Sequence, residues 1–153
     1  MRLIGKILGG FALLVLLGCA ETREDSFSSM STIQAQGMVS RGWIPAILPG
    51  TATDVRVRSN IDTNMVRGMA RVPEPDLGRL RAALRPLADD VVPPFWTKGS
   101  VTPPWWPADL LPPGRTSELR RRGWEVFSVP DRAATYMALH PSDGWVYFWS
   151  ESS

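Results

Sequence analysis

Cysteine occurs once in this chain of 153 residues, at position 19. No internal disulfide can form, so whatever folds must stand on a hydrophobic core. The residues before Cys19 differ in kind from those after it. Arg2 and Lys6 make a short positive region, and Ile7 to Leu17 is an apolar run broken by Gly9-Gly10. No acidic residue appears before Glu21. A helix that spans a bilayer needs about 20 apolar residues. This run is shorter and stops abruptly at Glu21, Arg23, Glu24 and Asp25. Residues 1–18 therefore read as a secretory signal peptide.

An ordinary secretory signal ends in a small-x-small site. Here the end is Leu16-Leu17-Gly18-Cys19, which resembles the lipobox of bacterial lipoproteins. The resemblance implies that the Cys19 thiol takes a diacylglycerol, that the signal is cut before it, and that Cys19 becomes the lipidated first residue. The plainer alternative is an ordinary signal with a stray cysteine. Stable anchoring takes about two acyl chains at about 0.8 kcal/mol per buried methylene, and a diacylglycerol supplies two. The expected partner is thus a membrane, reached through acyl chains on Cys19. In enteric bacteria an Asp after the lipidated Cys retains a lipoprotein at the inner membrane. Ala20 stands there, so the resemblance implies the outer membrane, facing the periplasm, with the outer face of the plasma membrane as the alternative.

The leader also accounts for the chain's formal charge of +2. Arg2 and Lys6 leave with it, and the remaining charges balance. The basic balance is then no nucleic-acid footprint. Cys19 to Ser153 carries all seven tryptophans and is long enough for one domain with a real core.

Residues 19–40 are polar and read as the lipidated cysteine followed by a flexible tether, which at about 5–6 Å × √n reaches roughly 25 Å. The folded domain is expected over 41–153. Gly42-Trp43-Ile44-Pro45 and Leu48-Pro49 suggest a docked, non-helical entry. Val55, Val57 and Ile61 alternate with Arg56, Arg58 and Asn60 as a half-buried strand does. Asp62-Thr63-Asn64 supplies a turn. Met65 to Val72 returns with Val66, Gly68, Ala70 and Val72 on one face and Arg67 and Arg71 on the other, which makes a hairpin. This block resembles a family of uncharacterised bacterial membrane-anchored proteins, through Gly42-Trp43-Ile44-Pro45, Leu48-Pro49, Thr51-Ala52, Asp54-Val55 and Ile61-Asp62-Thr63-Asn64. The family pattern has Ser-Ala where Thr51-Ala52 stands and a His-like polar position where Ser59-Asn60 stands. The resemblance implies a fold unit and no reaction.

Glu74-Pro75-Asp76 opens a helix, with acids at the positive dipole end. Leu77, Leu80, Leu84 and Leu87 recur at helical spacing, and Pro86 stops it. Residues 91–114 are rich in proline and tryptophan, with Pro93-Pro94-Phe95-Trp96 recurring as Pro103-Pro104-Trp105-Trp106; regular structure is not expected there. Glu118 to Arg122 suggests a short helix. Trp124–Val129, Tyr136–His140 and Trp145–Trp149 read as strands, the last two joined by the Pro141–Gly144 turn. The expected fold is α+β: one small domain whose antiparallel sheet of about five strands, ordered ββ-α-loop-βββ, packs on one amphipathic helix.

No catalytic, cofactor or metal motif emerges. His140, Ser142 and Asp143 are too close in sequence for converging triad positions. Asp54, Asp62 and Asn64 could contact a cation, but turn chemistry explains the last two. Arg56, Arg58, Arg67 and Arg71 fall on one face of the hairpin, where guanidinium groups could receive phosphate or carboxylate; a solvated outer face is the plainer reading. Trp96, Trp105 and Trp106 could mark a contact surface for an envelope protein or a glycan, with at least one of Trp105 and Trp106 well exposed; packing over the core is the plainer reading. The reading reached is a lipid-anchored binding or structural domain of the bacterial envelope. The alternative is an envelope-acting enzyme that uses carboxylates such as Asp54 and Asp62.

Overall fold

The computed structural model describes residues 22–94, 102–110, 114–140 and 142–151. Residues 1–18, expected to be a signal peptide, and Cys19 and Trp96 lie outside the described residues. Among the described residues, seven antiparallel strands form a single sheet: β1 (Thr22–Ser29), β2 (Thr53–Asn60), β3 (Met65–Arg71), β4 (Arg85–Pro86), β5 (Glu125–Ser128), β6 (Thr135–Leu139) and β7 (Trp145–Ser150). Their spatial order is β1-β2-β3-β7-β6-β5-β4. Helices α1 (Met30–Ala35), α2 (Glu74–Ala83) and α3 (Thr116–Arg121) and one 3-10 turn (Ala108–Leu110) complete the described elements. The α+β class holds, and the five expected strands are all present. The sheet exceeds about five strands because β1 and β4 extend its two edges.

β7 is the middle strand. Its run Trp145-Val146-Tyr147-Phe148-Trp149 has no polar interruption, as expected of a strand buried on both faces. Val146 and Phe148 join one cluster, with Val55, Val57, Val66, Ala70, Met137 and Leu139. Met30 and Ile33 of α1, Met38, Ile44 and Leu48 of the entry segment, and Leu77, Leu80 and Leu84 around α2 cover that face. Arg81 adds a 2.5 Å ion pair to Glu125, tying α2 to β5. Tyr147 and Trp149 join the opposite cluster, with Trp106, Leu110, Leu119, Trp124 and Val126. Tryptophan and proline segments, the 3-10 turn and α3 cover this second face.

At Gly68 the cross-strand neighbour is Phe148. A Cβ added there would lie 2.0 Å from the Phe148 ring, so the aromatic side chain occupies the space that only glycine leaves open.

Three expectations change. The tether from residue 22 onward is instead β1 and α1. Seven residue pairs align β1 with β2, from Thr22 opposite Asn60 to Ser29 opposite Thr53, and Phe27 is buried in the first cluster. An outer strand can form from a polar sequence because backbone pairing with one neighbour and one apolar anchor suffice. Next, β2 ends at Asn60, which leaves Ile61 in the turn and 49% exposed. Lastly, Leu87 does not continue the α2 stripe. The chain leaves the helix at Leu84, passes the sheet edge as β4, and brings Leu87 against the second cluster. Pro86 forbids the helical continuation on which that spacing depended.

Candidate functional site: the guanidinium and indole face

Register places Arg58 of β2 directly opposite Arg67 of β3, and Arg67 opposite Trp149 of β7. Like charges directly opposite one another destabilise a strand pair, so this arrangement needs compensation. Glu24, opposite Arg58 in β1, supplies part of it: its Oε2 lies 3.2 Å from the Arg58 guanidinium. Its Oε1 accepts a 2.8 Å bond from the Trp105 indole N–H. One carboxylate thereby joins the first strand, the second strand and the Trp/Pro segment.

Arg67 lies deeper, at 3% exposure. Its guanidinium carbon stands 5.0 Å from the Trp106 ring centre, within cation–π range. Burial, and after it the Arg58 charge, pull its pKa down to about 9, so it remains charged at neutral pH. Trp106 is 5% exposed and meets Tyr147 and Trp149 edge-on at 5.7 and 6.0 Å. Trp124 meets Tyr147 edge-on at 5.6 Å, and Tyr136 stacks on Trp149 at 5.7 Å. The Trp149 indole donates a 2.9 Å bond to the Pro94 carbonyl and so holds the start of the Trp/Pro segment on the sheet. Such pairs contribute about 0.5–1.5 kcal/mol each beyond area burial, which suits a proline-rich segment that cannot pair its backbone regularly.

The four arginines thus share a face but not an environment. Arg67 is core, Arg58 is half-buried beside Glu24, and Arg56 and Arg71 are exposed. Arg71 lies 6.0 Å from the half-buried Trp145 ring. Trp106 is core, contrary to a contact role, because three aromatic side chains and an arginine enclose it. Trp105 is half-buried rather than well exposed, because Glu24 holds its indole down. The surface that remains is a strip of Arg56, Arg71, Trp105 and Trp145. Glu24 was hidden in the sequence by its polar neighbours, among which Phe27 is the one large apolar side chain of β1.

The carboxylate pair does not converge. Asp54 sits at the bulge beginning β2, with φ of 49°, and Asp62 sits in the turn after its other end. At about 3.3 Å per residue they are on the order of 20 Å apart. Both are exposed, and the depression beside Gly42, Trp43 and Arg132 includes neither. Asp54 thus stands at one end of β2, and Asp62 and Asn64 in the turn beyond its other end. Near the turn, Asn60 Oδ1 accepts from both the backbone N–H and the hydroxyl of Thr63, each at 2.9 Å, and Asn64 takes a φ of 52°.

Ser142 Oγ lies 2.7 Å from His140 Nδ1. Asp143 turns away and accepts the Trp145 backbone N–H at 3.1 Å, so no triad forms. The His140 ring meets Trp124 edge-on at 5.0 Å. Among the described residues, no three His, Cys, Asp or Glu side chains gather as metal ligands, and no helix is long and apolar enough to cross a membrane.

No match to the chain was found among curated proteins or among solved structures. Residues 21–69, which run from the start of β1 into β3, match the family model of the YbbD head domain, and over that stretch the chain is similar to this bacterial family.

Proposed function

We propose that this chain is a lipid-anchored protein of the bacterial envelope, held by acyl chains on Cys19, and that its folded domain is a binding or structural module. The observation that carries the reading is the closeness of anchor and domain. Leu16-Leu17-Gly18-Cys19 resembles a lipobox, and a paired strand begins three residues later, at Thr22. Ala20 after the cysteine favours the outer membrane, facing the periplasm. The contact surface is the strip of Arg56, Arg71, Trp105 and Trp145. Exposed guanidinium groups beside partly open indoles suit an envelope protein or glycan that presents carboxylates and apolar rings.

Mass spectrometry of the mature protein tests the anchor: acylated Cys19 at the N-terminus is expected, and a free, cleaved Cys19 ends the reading. Crosslinking in the native envelope tests the surface. Arg56→Ala with Arg71→Ala should abolish any crosslink that the wild type forms, at an unchanged melting temperature. Retention of that crosslink removes the strip from the binding role.

A further inference from the structure

We infer that the β2–β3 turn is the membrane-facing end of the domain, and that Ile61 enters the lipid surface that takes the acyl chains. The inference rests on the anchoring of Cys19 proposed above. Its geometry comes from register. Thr22, the first residue of β1, pairs with Asn60, the last of β2, and the Asn60 side-chain amide also reaches the Thr22 hydroxyl at 3.4 Å. The point where the chain enters the sheet therefore lies beside the turn Ile61-Asp62-Thr63-Asn64. Cys19 precedes Thr22 by three residues. At 3.8 Å between successive Cα atoms, the two Cα atoms are at most about 11 Å apart whatever path the chain takes. A lipidated Cys19 cannot stand far from this turn.

The turn itself fits that position. Ile61 is the most exposed large hydrophobic side chain among the described residues, at 49%. It projects from a turn held rigid by the paired Asn60–Thr63 hydrogen bonds. Asp62 beside it is exposed, which limits entry to the single apolar side chain and disfavours an anionic lipid surface. The opposite end of the sheet, with Ser142, Asp143 and the start of β7, then points into the aqueous space. It lies about 20 Å away along a strand of six residues. The strip of Arg56, Arg71, Trp105 and Trp145 runs up the side between the two ends.

The test uses the full lipidated chain in phosphatidylcholine vesicles. Acylation consumes the Cys19 thiol, so a cysteine introduced at Ile61→Cys or Ser142→Cys is the only free thiol. Each carries the same fluorophore, and brominated phosphatidylcholine is the quencher. The expected result is loss of emission from position 61 with emission from position 142 unchanged. Equal quenching at both, or stronger quenching at 142, overturns the orientation. The mass of the same preparations separates the two failures. A chain acylated at Cys19 but unquenched at position 61 refutes the orientation alone, whereas a chain without acyl groups refutes the anchoring and the orientation together.

Discussion

The two faces of the sheet are covered by different chemistry. On one face, helices α1 and α2 and the entry segment pack aliphatic side chains against Val55, Val57, Val146 and Phe148. The covering pieces satisfy much of their own backbone, so non-directional burial is enough to hold them. On the other face, segments rich in proline lie over Tyr147 and Trp149. These are held by directed contacts: indole N–H bonds from Trp105 and Trp149, edge-on ring pairs, and Trp106 over Arg67. Where a cover cannot make helix or strand, aromatic side chains supply both the apolar area and the few polar ties that fix it.

The largest test of that contrast compares Trp106→Ala with Leu80→Ala. The first should cost about 3–5 kcal/mol and the second about 2–5 kcal/mol, measured by denaturant unfolding. Their local consequences should differ. Leu80→Ala should leave hydrogen exchange on the second face unchanged, while Trp106→Ala should loosen residues 102–110 and remove the cation–π contact to Arg67. A neutral Trp106→Ala would show that the aromatic cover is not held by its rings.

Gly68→Ala probes the aliphatic face at its tightest point. The added methyl meets the Phe148 ring, so a loss of about 1–3 kcal/mol is expected from overpacking. Phe148→Leu in the same chain should recover part of it. Absence of any recovery would separate the two positions energetically.

A smaller effect is expected at the polar tie. Trp105→Phe keeps the ring area but removes the N–H that Glu24 accepts. A loss of about 1 kcal/mol is expected, with Glu24→Gln non-additive to it. Strict additivity would mean that the bond carries no coupling.

The smallest effect is the pH response of the aromatic face. Burial, and then Asp143, raise the Tyr147 pKa above its ordinary 10. The folded state thus keeps a proton that the unfolded chain releases, and this contribution, present below pH 10, is lost as pH rises above it. Arg67 acts with the opposite sign. Its folded pKa of about 9 lies below the unfolded value, so its burial cost is relieved as pH rises past 9. Tyr147→Phe should therefore flatten the loss of stability above pH 10; an unchanged slope would show that the hydroxyl titrates freely.

The period-2 alternation in β2 and β3, and the unbroken apolar run of β7, were readable in the sequence because the strands bury defined faces. The fate of Arg67 was not. Alternation says which face a side chain takes, and says nothing about whether a segment some forty residues later will cover that face. β1 was missed because an edge strand needs only one buried anchor, here Phe27, and is otherwise indistinguishable from a polar linker. Glu24 was missed with it. Leu87 was misplaced because helical spacing ran on in the sequence past a proline that ended the helix.

Since β1 pairs along β2 and brings the chain into the sheet, its status is the point on which the rest depends. Thermal unfolding of two chains tests it: one beginning at Ala20, the other at Ser40. If residues 22–35 are strand and helix, removing them uncovers Val55 and Val57 and opens the β2 edge. The chain from Ala20 should then melt cooperatively, while the chain from Ser40 should aggregate or lose its transition. Equal melting temperatures would contradict this and restore residues 22–40 to the role of a tether.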